Sequence, residues 1–496
     1  MRGRRRVAAR AASALLVVTL VVSGLLVSTA AVQATAAEDA TASVEWASCG
    51  TPVECATVAV PVDYADPAGA TLDLAVARVP ARDSSRRIGS LVVNPGGPGA
   101  PGIPYLRSLI DSLPAELRDR FDLVSFDPRG VGGSGAVKCG ADIDPLFDQS
   151  FSPADAAERS ALVAAFRTVV DACARDSGAR LPHVSTVATA HDLDRIRTAI
   201  GDRKLTYVGE SYGTYLGTIY ATLFPERVRA IVLDGAIDPT ADGTAVALGQ
   251  ARGFEGALDD FLADCAKQRG CAFYHDGKPG AAYDALRARA ERTGLATVRN
   301  AGRTVNGTRF DAAAIQALYA GRAGWRSFAD ALTRAEDGDA STLLAMADSF
   351  VGRTASGMEH DALDAFWAIS CLDGPVVGDV DAAARLQALA TRAAPRLGAF
   401  LVNFSLACSI WPVPPVTAPA PLDAAGAPPL LVVGTTGDPA TPLVSAQSLR
   451  RQLEGSALLV AAGEQHTSFA VGNECADRVV TRYLVDGTLP GRAKRC

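Results

Sequence analysis

From Thr57 to Val62 and from Thr71 to Val79, apolar residues fall mostly at alternate positions on either side of Asp66-Pro67-Ala68-Gly69. A period of two with a turn between predicts an antiparallel hairpin. Downstream the pattern changes to short, nearly continuous apolar runs, Leu91-Val92-Val93, Leu123 to Phe126, Leu205 to Val208 and Ile231-Val232-Leu233, each closed by a turn or a Gly-rich segment. Strands buried on both faces read this way. Between them, Ala156 to Ala174 and His191 to Ile200 carry helical spacing. Strands alternating with helices predict the α/β class, with a mostly parallel sheet covered on both faces.

The alternation breaks after Asp238-Pro239, where a long stretch rich in Ala, Arg and Asp keeps helical spacing with few strand-like runs. The Pro- and Ala-dense segment Trp411 to Pro429 then reads as a linker, and strand signals resume at Leu430 to Val433 and Ala457 to Val460. The expected organisation is an export segment at 1–37, the first part of the α/β core at 38–240, an inserted helical cap at 241–424, and the rest of the core at 425–496.

The 496 residues are 48% hydrophobic and 21% charged, ordinary for a folded chain with one large core plus an insertion. Net charge is −6, and no long basic run follows the first ten positions, so no nucleic-acid footprint is indicated. At the N-terminus, Arg2, Arg4, Arg5, Arg6 and Arg10 precede an apolar stretch from Ala11 to Ala31 and the small-residue site Ala34-Thr35-Ala36. This is the form of a signal peptide cleaved near Ala36 or Ala37. The alternative is an uncleaved anchor, since roughly 20 apolar residues span a bilayer; Arg5-Arg6 could also serve a twin-arginine route. The expectation is a secreted protein with no stable membrane association after cleavage.

All ten cysteines lie after that segment, an even set suited to disulfides in an oxidising compartment. Proximity alone suggests Cys49 with Cys55, Cys139 with Cys173, Cys265 with Cys271, Cys371 with Cys408, and Cys475 with Cys496. Short Cys-x-x-Cys or Cys/His clusters are lacking, so neither a zinc site nor any other metal or organic cofactor is expected.

Leu205 to Val208 leads directly into Gly209-Glu210-Ser211-Tyr212-Gly213, and helix-compatible spacing continues from Thr214 to Leu223. Strand, tight turn, helix around G-x-S-x-G is the context in which a serine side chain stands exposed at the end of a sheet as a nucleophile. Its hydroxyl needs a base within reach and an acid to orient that base, in the chain order Ser, Asp or Glu, His. Of the five histidines, only His466 lies beyond the last strand signals. The acid should end the preceding strand, where Gly434-Thr435-Thr436-Gly437 leads to Asp438; Asp234 and Asp238 are the rivals. Backbone N–H groups of Tyr212 and of Gly97 or Gly96, in the loop Asn94 to Gly99 after an early strand, should hold the oxyanion. Asp127-Pro128-Arg129-Gly130 to Gly135 lacks the Walker lysine, so it reads as a structural loop in which Arg129 and Asp127 pair or hydrogen-bond locally, and Ser134 is not a nucleophile.

These segments resemble the secreted tripeptidyl aminopeptidases of actinobacteria, relatives of the prolyl iminopeptidases within the α/β hydrolases. The resemblance is carried by Asn94 to Gly99, Phe126 to Gly130, Gly209 to Gly217, Gly437-Asp438, Thr441-Pro442, His466, Cys408 to Trp411 and Leu489 to Cys496. It implies an α/β-hydrolase sheet with a helical cap, a Ser211–His466–Asp438 triad, and a peptide substrate cleaved near its free N-terminus. Asn94-Pro95 departs from the prolyl iminopeptidases, which usually have histidine before the glycines. A free terminus calls for an acceptor of the substrate ammonium, and Glu210, Glu359 and Asp373 are candidates by residue type and location. The competing functions are a carboxylesterase with the same triad and a cell-envelope binding protein without catalysis.

Overall fold

The hairpin forms where the alternation places it: β2 (Glu54–Pro61) pairs antiparallel with β3 (Thr71–Val79), in register from Glu54 opposite Arg78 to Pro61 opposite Thr71. In this computed structural model, residues 44–299, 302–354, 357–358, 362–374, 377–491 and 493–496 are described. The predicted export segment therefore lies outside the described residues.

A short β1 (Ala47–Ser48) precedes the hairpin, and β4 (Gly89–Asn94), β5 (Phe121–Phe126), β6 (Leu205–Glu210), β7 (Val228–Asp234), β8 (Leu431–Thr435), β9 (Ala457–Ala461) and β10 (Ala493–Arg495) follow. They form one ten-stranded sheet in the order β1-β2-β3-β5-β4-β6-β7-β8-β9-β10. Every pairing from β5 to β10 is parallel; β1, β2 and β3 join antiparallel at one edge.

The nearly continuous apolar runs have a direct cause. Successive side chains of a strand point to opposite faces. Val92, Ile231, Leu233 and Val432 pack into one buried cluster with Leu193, Ile196, Leu216 and Leu449 of covering helices. Leu91, Val93, Val232 and Val433 enter the cluster on the other face, with Leu106, Leu117, Val480 and Leu484. Both faces are dry, so nearly every position is apolar, and a polar one such as Ser125 is buried only with a hydrogen-bond partner, the Val93 carbonyl.

Between β7 and β8, helices from Gly243–Lys267 to Gly398–Phe404 build a third hydrophobic cluster around Phe254, Phe261, Phe310 and Trp367, which Phe151, and Leu162 and Phe166 of the helix Ala156–Ser177, also join. The five disulfides are Cys49–Cys55, Cys139–Cys173, Cys265–Cys271, Cys371–Cys408 and Cys475–Cys496, the pairs nearest in sequence. The last ties down β10, whose polar sequence gives no strand signal. No described helix is long and apolar enough to cross a membrane.

One local expectation is corrected. Arg129 does not pair with Asp127. Its guanidinium, 1% exposed, forms a two-pronged ion pair with Asp192 at 2.6 and 2.7 Å and also donates to the carbonyls of Pro61, Val62 and His183. Asp127 instead accepts from the backbone N–H groups of Ile103 and Gly133. The partner lies on the helix Thr186–Ala199, beyond the reach of local sequence reasoning. Asp192→Ala would leave a buried guanidinium unpaired and is expected to cost about 3 to 5 kcal/mol in urea unfolding; a loss below about 1 kcal/mol would contradict a structural role for the pair.

Candidate active site

β6 lies between β4 and β7, and its chain turns at Ser211 into the helix Tyr212–Leu223. Ser211 has φ 55° and ψ −124°, a sparsely allowed left-handed conformation for a residue with a side chain. The turn is fixed by Ser211 N–H donating to the carbonyl of Asp234 at 2.8 Å and by Thr214 Oγ1 donating to the carbonyl of Ser211 at 2.6 Å. A Cβ on Gly209 would lie 2.2 Å from the Gly213 carbonyl, so the elbow closes only on glycine.

His466 follows β9 in a loop and presents Nδ1 to Asp438 at 2.9 Å from each carboxylate oxygen. Asp438, 3% exposed in the loop after β8, also accepts from the N–H groups of Ala440 and Thr441 and from Thr441 Oγ1, each at 2.9 Å. Burial pushes the Asp438 carboxyl up, but the facing imidazolium charge and these hydrogen bonds outweigh it and hold the group below its ordinary value. Burial likewise pulls His466 down, and the charges of Asp438, Asp234 and Glu210, with the Asp438 hydrogen bond, carry it above the ordinary imidazole value. A carboxylate on Nδ1 fixes the proton there and leaves the lone pair on Nε2. Nε2 is buried and has no hydrogen-bond partner. The two rival acids go elsewhere: Asp234 to the N–H groups of Ser468 and Phe469, Asp238 to Thr240 and Gln452.

The loop after β4 folds against the elbow. Gly96 has φ 86°, and a Cβ there would lie 2.4 Å from the Glu210 carbonyl and 2.8 Å from the Tyr212 nitrogen. Gly96→Ala must therefore push the loop off the elbow, and a loss of at least about 10-fold in kcat is expected from kinetics on the folded variant. Gly97 and Ser211 both line a cavity of about 640 Å³ that His466 also borders. Cap residues Phe254, Ile315, Tyr319, Phe350, Phe366 and Phe404 form much of its wall. The cap also holds the histidine loop, because His466 N–H donates to the Tyr319 carbonyl at 2.9 Å.

The sequence-based candidates for amine recognition are placed differently. Glu210 lies under the elbow, hydrogen-bonded to Tyr105; burial, then the charge of Asp234, pushes it up to about 7. Asp373 is 5% exposed, accepts from the Thr186 N–H at 2.8 Å, and bonds the hydroxyls of Thr186 and Tyr212. Neither borders the cavity, and Glu359 lies outside the described residues. The carboxylate among the described residues on the cavity wall is Asp238, which the sequence offers only as a rival acid.

Burial is the largest cause of the raised carboxyls of the site region, Glu210 at about 7 and Asp234 and Asp373 at about 6. Between the ordinary carboxylate range and those values the folded chain holds more protons than the unfolded one, so stability falls as pH rises. The contribution is fully present below the ordinary carboxylate range and lost as pH rises through about 6 to about 7; His466, also raised, acts in the same sense. Urea midpoints should therefore decline from about pH 5 to about pH 8. A midpoint that rises over that interval would contradict the burial of these groups.

The chain matches the alpha/beta hydrolase fold family over residues 89–472. It is 39% identical over 460 residues to the serine protease Hip1 of Mycobacterium tuberculosis, covering 89% of this chain and 87% of the relative. It is 38% identical over 461 residues to a carboxylesterase B of the same species, covering 89% and 86%. With a tripeptidyl aminopeptidase of Streptomyces lividans the identity is 30% over 487 residues, covering 93% and 88%.

Proposed function

Because the chain belongs to the alpha/beta hydrolase family and to its serine-hydrolase relatives, we propose that it is a secreted exopeptidase releasing short peptides, tripeptides foremost, from free N-termini. Ser211 attacks the scissile carbonyl while His466 Nε2 takes the hydroxyl proton. The same nitrogen then returns the proton to the leaving amine, and water, deprotonated by His466, releases the acyl group. Asp438 orients the ring and stabilises the imidazolium. The N–H groups of Tyr212 and of Gly97 or Gly96 receive the oxyanion; one such donor is worth roughly 3 to 4 kcal/mol in the transition state.

The observation that carries this reading is the unshared, buried Nε2 of His466 on the same cavity wall as Ser211, with Nδ1 held by a buried carboxylate. An exopeptidase requires a wall that limits how far the substrate extends, and residues of the helices between β7 and β8, among them Phe254, Tyr319, Phe350 and Phe404, line much of the cavity. Asp238 is assigned the substrate ammonium. Burial raises its carboxyl, but hydrogen bonds from Thr240, Ser448 and Gln452 bring it below its ordinary value and keep it ionised. The five disulfides favour an oxidising, extracellular compartment.

The test is a chromogenic tripeptide amide with a free N-terminus beside its N-acetylated twin. The free peptide should be cleaved much faster, and Asp238→Asn should cut that preference by roughly 10- to 100-fold, the worth of one charge-assisted hydrogen bond. Equal cleavage of both peptides would remove the exopeptidase reading. The strongly apolar wall favours one second reading, a carboxylesterase, for which simple acyl esters would turn over with no peptide cleavage.

A further inference from the structure

Asp234 ends β7, between the strand that delivers the nucleophile and the strand that delivers the orienting acid. It is completely buried and has no place in the proton transfers above. Its main chain and side chain face two different parts of the site. The carbonyl accepts the Ser211 N–H at 2.8 Å. Carboxylate Oδ2 accepts the N–H of Ser468 at 2.8 Å and that of Phe469 at 2.7 Å, the second and third residues after the histidine.

The histidine loop is shaped to receive anions. Thr467 has φ 66° and Ala470 φ 59°, turning three successive N–H groups inward. Thr467 N–H points at Asp438 Oδ2 at 3.3 Å, and the next two point at Asp234. Successive amides bent through left-handed residues form a concave anion cradle. Here the cradle is filled by carboxylates from two adjacent strands rather than by a ligand. The carbonyl of Tyr319 also accepts the His466 N–H.

We propose that Asp234 is a second positioning carboxylate for His466, clamping the histidine loop with its side chain while its main chain holds the nucleophile elbow, so that one residue sets the spacing of nucleophile and base. It acts through His466 and touches no substrate. The inference rests on the catalytic reading of Ser211 and His466.

Asp234 also places charge near the ring. The titratable groups around it are Asp438 and His466 in the loops after β8 and β9, Glu210 at the end of β6, and Tyr105 on the helix Gly102–Leu109, which bonds Glu210. Asp234 Oδ1 is buried without a hydrogen-bond partner, so its charge is only half engaged by the cradle. Removing it should make His466 less basic.

Asp234→Asn keeps an acceptor for both amides and loses the charge, whereas Asp234→Ala loses both. With an unblocked chromogenic tripeptide amide, or a p-nitrophenyl acyl ester if only esters are cleaved, Asp234→Ala should lower kcat roughly 10- to 100-fold with KM changed less than about three-fold. Asp234→Asn should recover most of that kcat, while the acid limb of its kcat/KM profile moves to lower pH. If the alanine variant does not fold, the asparagine variant decides the matter through its pH profile. Folded variants with the kcat and pH profile of the parent would overturn the clamp, as would an asparagine variant whose acid limb does not move. Full activity in Ser211→Ala would overturn the catalytic reading itself, an outcome separate from either.

Discussion

Ser211→Ala is expected to lower kcat by roughly 10,000- to 1,000,000-fold while the protein keeps its fold. The loss is this large because no other nucleophile is presented at the elbow: Ser211 is set by φ 55° after β6, and its flanking residues Glu210 and Tyr212 are turned away into hydrogen bonds with Tyr105 and with Thr186 and Asp373. What survives is binding and the oxyanion donors, which accelerate attack by water to a much smaller extent. Stability should change little, since alanine inherits the same left-handed backbone and Ser211 is not deeply buried. Ser211→Gly, free of the Cβ penalty, should be more stable than Ser211→Ala by about 1 kcal/mol. Steady-state kinetics on the purified variants check the first claim and urea unfolding the second. Activity within about 10-fold of the parent would mean that another group attacks.

Asp438→Asn carries the second large effect, roughly 10,000-fold in kcat at neutral pH. Asp438 accepts from Nδ1–H and four further donors, and an amide in its place can turn its NH2 toward the ring. That selects the wrong tautomer, with the proton on Nε2 and no lone pair for Ser211. The pH profile separates this loss from mere misfolding. In the parent, His466 lies above the ordinary imidazole value of 6.5, so the acid limb of kcat/KM should lie above that value. Removing the Asp438 charge takes away the largest cause of the upward shift, so the limb should move down. A variant with an unmoved limb and near-parental kcat would show that Asp234 or another carboxylate orients the base.

The contrast between these carboxylates shows what a sequence can and cannot reveal here. Ser211 is legible because an apolar strand, a G-x-S-x-G turn and a helix-compatible run are contiguous, so the local pattern determines the local structure. His466 follows from chain order alone. The strands are legible because both faces of the sheet are buried, which leaves little freedom at Leu91 to Val93 or Ile231 to Leu233. Choosing among Asp234, Asp238 and Asp438 is a different problem, since each ends or follows a neighbouring strand and only the orientation of the ring discriminates. The amine candidates depend on carboxylate type, which says nothing of burial. Glu210 and Asp373 turn away from the cavity and into hydrogen bonds with Tyr105, Thr186 and Tyr212, while Asp238 meets the wall. The partner of Arg129 and the pairing of β10 are hidden for the same reason: both are set by contacts between distant segments.

The most direct test of the serine mechanism is to treat the purified protein with a fluorophosphonate probe, measure the intact mass, and map the modified peptide. The prediction is one adduct per chain, on Ser211, whose formation is slowed strongly in His466→Ala. An adduct on another residue, or none on active protein, would contradict it.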